Sequence, residues 1–282
     1  MEYLIAIPVF PPDMMLDIAV SAIAVLLWYY VITCCFLPTY KKKNADDTYE
    51  LWREKRLAWI MTLLSAIVSN TVVGIYVYYL ISGDQAPDFI DISNFDMSSP
   101  ERLMKFLHGS DRLSNFCIRF FCTYLFIDTI YMTLYYRTIS NFQSWLHHIG
   151  TRTRNITTHI PNKQIFRIGY FVVMGNSLYC NCPMIFVSFL PVEFSTLFLG
   201  SGQIWPKARF DLAFGISFFL LRILYHGALV AFLLANYFNI PHIVFTLGAF
   251  GSWGMHIHWF WTWYRKYSSS GGAGGAGGDK EE

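Results

Sequence analysis

The chain has 282 residues, 54% of them hydrophobic and only 14% charged. Soluble domains carry about 25% charged residues, so too few ionisable groups remain here to wet a globular surface. A net charge of +2, with no Lys/Arg block interleaved with aromatics, argues against nucleic acid as a partner. The expected class is an all-α integral membrane protein, and its 18% aromatic content suits interface belts and helix packing in lipid.

The N-terminal run MEYLIAIPVFPPDMM lacks a basic n-region and is broken by Pro8, Pro11 and Pro12. It reads as an interfacial lead-in rather than a removable signal peptide. A crossing needs roughly 20 mostly apolar residues. The first such run is 16–37, ending before Lys41, Lys42 and Lys43, and the second is 57–81. A polar, Asp- and Pro-containing stretch, 82–111, precedes a third run, 113–136, in which Arg119 sits near one end and can snorkel. A mixed stretch, 137–163, holds His147 and His148. Then come 165–190, a shorter apolar piece, 192–199, beyond Pro191, and two further runs, 210–235 and 243–264. Counted this way there are about seven crossings. The broken piece is tolerated at depth only where protein or a cavity shelters its backbone.

The basic groups at 41–56, at 152–167, at Lys207 and Arg209, and at Arg265 and Lys266 all fall on one side of a seven-span chain. The positive-inside rule makes that side cytosolic, with the N-terminus out and the C-terminus in. The sequon at Asn155 is then cytosolic and unmodified. Cys34, Cys35, Cys117, Cys122, Cys180 and Cys182 lie in or beside apolar runs without a zinc spacing, and read as packing residues. No metal and no resident cofactor is expected. The organisation is 1–56, a lead-in, first crossing and basic loop; 57–266, a six-helix membrane domain; and 267–282, a Gly/Ala-rich tail.

Polar residues inside apolar runs mark the candidate site, because a charge at the bilayer centre costs about 2.5–3.5 kcal/mol on insertion scales. Asp128 in TYLFIDTIYMTLYY and Arg222 in FFLLRILYHG each demand a partner. For Arg222, either Asp128 or Glu193 would serve, and an arginine facing a cavity would also suit a phosphate or carboxylate. Glu193, Ser195 and Thr196 follow Pro191, where they can cap a restarting helix or bind a polar head group. His147 and His148 are adjacent, so they point roughly 100° apart on a helix; one can act as base while the other orients or packs. His256, His258, Trp259, Trp261 and Trp263 read as an interfacial belt.

The ordered series TYLFIDTIYMTLYY, LHHIGT, PVEFSTLFLG, FFLLRILYHG, IHWFWTWYRK resembles the signature of the TLC-domain (TRAM–LAG–CLN) family, over residues 57–266. The resemblance implies a six-span bundle around a membrane cavity, the first span being peripheral. His147, His148, Asp128, Glu193 and Arg222 would face that cavity, with Ser195 and Thr196 beside them. Ceramide synthases of this family use the His pair for N-acyl transfer from acyl-CoA. TRTRNITTHIPNKQ departs from them as a polar insertion, and PVEFSTLFLG offers one Glu and no Asp pair. The match is therefore better to the non-synthase branch.

Three functions follow as expectations. The first is binding or remodelling of membrane lipid, in the endoplasmic reticulum or another endomembrane. The second is acyl-CoA-dependent N-acyl transfer with His147 or His148 as base, acyl-CoA entering only as substrate. The third is a non-catalytic subunit of a large membrane complex, such as a bioenergetic assembly of the mitochondrial inner membrane, that keeps a lipid-filled fold. Partners are membrane lipids and, under the third, other proteins.

Overall fold

The structure, a computed structural model, describes residues 12–35, 47–93, 95–134, 182–205, 210–236 and 240–269. Its described residues form helices and no strands. They are α1 (Pro12–Cys35), α2 (Asp47–Ser82), α3 (Pro100–Leu107), α4 (Arg112–Leu134), α5 (Pro183–Phe189), a 3₁₀ turn (Leu190–Glu193), α6 (Phe194–Ile204), α7 (Asp211–Phe218), a π-helical turn (Phe219–Tyr225), α8 (His226–Asn236) and α9 (Ile240–Ser269).

Five stretches are long and apolar enough to cross a membrane: Pro12–Val31, Trp59–Ser82, Arg112–Tyr131, Pro183–Ile204 and Asp211–Asn236. The chain is thus a membrane protein by the length and composition of its helices. The seven-crossing expectation differs from this in two places. Residues 183–190, read as the end of one crossing, and 192–199, read as a separate broken piece, join in one 22-residue stretch with Pro191 at its middle. The first part of the expected crossing 165–190 lies outside the described residues. The 30-residue α9 is long enough to cross, but its His, Ser, Gly and Trp residues make it less apolar than the five.

Regular helix ends have visible causes. α2 stops where Gly83 takes φ +69°, a left-handed conformation that a residue with a Cβ resists. α3 is an amphipathic helix inside the stretch expected to be an irregular polar loop. Ser99, extended at φ −145°, caps it by accepting from Arg102 N, and Pro100 opens it where no amide hydrogen is needed. Phe106 and Leu107 bury themselves, so the loop folds back onto the bundle instead of standing off it.

α4 begins with a reciprocal cap. Asp111 Oδ1 accepts from Ser114 N at 2.7 Å, and Ser114 Oγ accepts from Asp111 N at 3.1 Å. The same carboxylate takes the Tyr76 hydroxyl of α2 at 2.8 Å and the Asp91 amide at 2.9 Å. One buried side chain therefore joins α2, the loop and α4.

The main core runs through the described bundle, with Val25, Met61, Val72, Ile118, Phe121, Ile185, Val230, Leu233 and Phe245 among its buried members. Cys117 and Cys182 are buried within it as packing residues. α2 packs most extensively along α6, and α1 along α4. The lipid-facing sides keep large apolar groups exposed, as at Leu16, Ile23 and Leu27 of α1 and Leu220 and Leu224 of the π-helical turn. In water such a surface would aggregate, whereas in hydrocarbon it is solvated.

α1 does more than sit at the periphery. Its Asp17 is 3% exposed and accepts from both Nη atoms of Arg112 and, at 2.7 Å, from Arg119 Nη1. Arg119 also reaches Asp13 at 3.3 Å. Its side chain is 13% exposed, so it does not snorkel: it is held by two carboxylates of α1.

Candidate functional site

Two irregular helices face each other halfway along their crossings. On one side Pro191 lacks an amide hydrogen and the chain tightens into the Leu190–Glu193 3₁₀ turn. On the other, the helix widens into the seven-residue π-helical turn that contains Arg222. Irregular backbone exposes carbonyls, each costing several kcal/mol if unpaired in hydrocarbon. Here side chains from opposing elements take them up. Tyr225 donates to Ser188 O at 2.7 Å, Arg222 Nε to Val192 O at 3.0 Å, and Trp253 Nε1 to Ile223 O at 2.9 Å.

Arg222 is the centre of the cluster and is 8% exposed. Its Nε also donates to Ser195 Oγ at 2.8 Å. Nη2 donates to Thr196 Oγ1 at 2.6 Å and to Glu193 Oε1 at 3.3 Å. Thr196 in turn donates to Glu193 Oε2 at 2.8 Å, and Ser195 to Val192 O at 3.1 Å. Between the two carboxylates the sequence left open, Glu193 is the one that pairs with Arg222. Ser195 and Thr196 orient the guanidinium and the carboxylate; α6 has no side-chain cap from Glu193.

The remaining arm of the cluster was not foreseen. His256, expected in the interfacial belt, is 6% exposed, and its Nε2 lies 2.8 Å from Arg222 Nη1. His226, 2% exposed, places Nδ1 3.1 Å from His256 Nδ1 and Nε2 3.1 Å from Ala249 O. Tautomers follow by elimination, because arginine only donates. His256 Nε2 accepts, so its Nδ1 carries hydrogen and donates to His226 Nδ1. His226 Nε2 then carries hydrogen and donates to Ala249 O. Both imidazoles are neutral in this chain of bonds. Phe189 and Phe218 close the sides edge-on, with Arg222 Cζ 5.4 Å from the Phe218 ring centre. His258 is exposed, as a belt residue would be, whereas Trp263 packs against α7.

Asp128 is buried at 5% exposed, on α4. It stands one turn beyond Tyr124, whose buried hydroxyl is within electrostatic reach of both Asp128 and Glu193. Asp128 and Glu193 thus share Tyr124 as an electrostatic neighbour, and the carboxylate that pairs with Arg222 is Glu193. His147 and His148 lie outside the described residues.

Chemically, the arrangement holds one cation, one carboxylate and several neutral acceptors. The guanidinium beside His256 disfavours a metal cation there, and no group of three potential metal ligands occurs among the described residues. Two features could have flagged the missed histidines: the Arg-x-x-x-His spacing in FFLLRILYHG, and a histidine nine residues before Arg265 at the basic end of α9. No family model matches the chain, and no curated protein or solved structure matches it either.

Proposed function

We propose that this chain is a TLC-type membrane protein that binds or remodels membrane lipid. One observation supports the reading above others: Glu193, Ser195 and Thr196 converge on Arg222 from a segment 26–29 residues away, in the middle of two adjoining crossings. The side chain of Glu193 is 27% exposed, which makes it the most accessible member of the cluster and the one a polar head group would meet first. Such polar groups set in an otherwise apolar bundle suit an amphipathic ligand. An endomembrane is the expected compartment.

The experiment is mild-detergent purification followed by lipid mass spectrometry, with acyl-CoA turnover measured on the same sample. A stoichiometric lipid that is lost in Glu193→Ala is the expected result. Protein free of bound lipid would sink the reading. Turnover abolished by His147→Ala together with His148→Ala would replace it with N-acyl transfer.

A second reading, a non-catalytic subunit of a larger membrane complex, is favoured by one feature: the Arg222 cluster is largely satisfied from within the protein. Elution as a large assembly, with no turnover, would support it.

A further inference from the structure

α2 carries an amide group at a depth where lipid cannot serve it. Asn70 stands roughly 17 Å along the helix from Trp59 and roughly 18 Å from Ser82, at the middle of that crossing. Its Nδ2 donates to Ala66 O at 2.6 Å, one turn back on its own helix. The second Nδ2 hydrogen and the Oδ1 lone pairs make no hydrogen bond among the described residues. No water is at hand there, and a polar group left unpaired in hydrocarbon costs several kcal/mol.

This amide lines a groove on the side of α2 turned away from the core. Val72 and Tyr76 are buried on the inner side, whereas Thr71, Gly74 and Tyr78 are exposed. The groove is lined by Asn70, Thr71, Gly74 and Tyr78, with Phe89 of the loop beside them, and has a volume of about 390 Å³. A cavity of about 150 Å³ takes a benzene ring, so aromatic side chains of a neighbouring helix can enter. Gly74 is one turn beyond Asn70, and a Cβ built there would meet nothing within 4 Å. A second helix backbone can therefore come close at that point. The hydroxyls of Thr71 and Tyr78 are already spent, on Ile67 O and on Asp84.

An acyl chain would fill the groove and offer the amide nothing. A carboxamide, by contrast, carries donor and acceptor together. Two copies inserted in the same sense are related by a two-fold axis normal to the membrane, which brings identical positions face to face. We propose that this face of α2 binds a second copy of the chain, with each Asn70 Oδ1 accepting from the partner's Asn70 Nδ2. The two Gly74 positions then adjoin one turn nearer the 82–111 loop. Tyr78, 57% exposed, enters the partner's groove beside Phe89. The contact uses none of the Arg222 cluster, so it neither needs lipid bound there nor prevents it.

The test uses the full chain, dye-labelled on its C-terminal tail, in vesicles of phosphatidylcholine. Counting photobleaching steps over a range of protein-to-lipid ratios gives the dimer affinity. Wild type should dimerise, and Asn70→Leu should weaken the dimer about tenfold. Asn70→Gln, which keeps the amide, should weaken it less. Gly74→Leu should weaken it at least as much as Asn70→Leu, by filling the space a partner backbone needs. Neither side chain supports the core, so thermal unfolding of both leucine variants in micelles should match wild type. Oxidation in native membranes checks the geometry, since a disulfide needs Cα atoms within roughly 7 Å. Gly74→Cys should link two copies above the wild-type background, and Gly251→Cys, on an equally open face of α9, should not.

A wild type that stays monomeric at every ratio would overturn the proposal, and bound lipid on that monomer would leave the lipid reading standing. So would a dimer indifferent to both leucine variants, or one linked through Gly251→Cys and not through Gly74→Cys. A different protein captured by Gly74→Cys, in place of a second copy, would overturn it in favour of a mixed assembly.

Discussion

Among the described residues, two charge networks form around a buried ionic side chain, Asp17 in one and Arg222 in the other, and they solve the same problem differently. Between α1 and α4, two carboxylates meet two arginines, Asp13 and Asp17 against Arg112 and Arg119, on regular helices and near the ends of their crossings. Charge answers charge. Around Arg222 a single cation at mid-crossing has one carboxylate at 3.3 Å and otherwise neutral acceptors, on two helices that both depart from α geometry. The first network fixes how two helices stand together and leaves nothing to exchange. The second is adjustable, since its neutral hydroxyl and imidazole partners can reorient while the charged pair stays balanced. A pin and a site can thus share a residue inventory and differ in depth, backbone and charge count.

Removing the cation should break this comparison most severely. Arg222→Met leaves Glu193 partly buried without its cation and the Val192 carbonyl without its donor, and should cost about 3–5 kcal/mol of stability. The double variant with Glu193→Gln should recover part of that, as read by thermal unfolding in micelles. A double variant no more stable than the single would mean that the lost carbonyl bonds, rather than the stranded carboxylate, dominate.

Asp17→Asn should cost less, about 2 kcal/mol, because Arg112 can reach water and Asp13 still faces Arg119. The loss should show as weakened α1–α4 docking, read by protease access to the α1 end. Protection equal to wild type would deny α1 its pinned role. Gly215→Ala tests the packing that supports the second network. A Cβ there would lie 2.0 Å from the Trp263 ring, so the ring must move, at about 1–2 kcal/mol. Enhanced quenching of tryptophan fluorescence by lipid-phase quenchers is the expected sign.

The smallest effect lies outside the membrane. Arg102, through its bond to the Asp96 carboxylate, with Ser98 beside it, lowers the Asp96 pKa to about 2. A group lowered on folding contributes stability above its ordinary value, about 3.9. That contribution should fade as pH falls from there towards 2. The pair is exposed, so salt should weaken it as well. An Asp96→Asn variant whose acid unfolding matches the wild type would show the pair to be thermodynamically silent.

Much of the second network was legible because polar residues in apolar runs are expensive, and expense demands a partner. Glu193 and Arg222 announced themselves in this way, as did Ser195 and Thr196 beside Pro191. The histidines did not. His226 reaches the cluster from the end of a π-helical turn, which shifts the phase that ordinary helical spacing assumes. His256 stood among tryptophans, where the belt reading is reasonable for His258 and wrong for its neighbour. Asp17 and Arg119 lie 102 residues apart, and no local pattern links them. α3 was missed because its apolar residues fill less than two turns within a stretch dominated by Asp, Ser and Pro.

The carboxylate of Asp111 has a consequence for how this protein would respond to being cut. It holds Tyr76, the Asp91 amide and the Ser114 amide at once, while Phe106 and Leu107 anchor the far side of the loop. The exposed stretch around Ser98 lies between these two moorings. A single nick there would sever the chain without releasing either half. The two fragments should migrate as one particle in mild detergent and part only when it is unfolded.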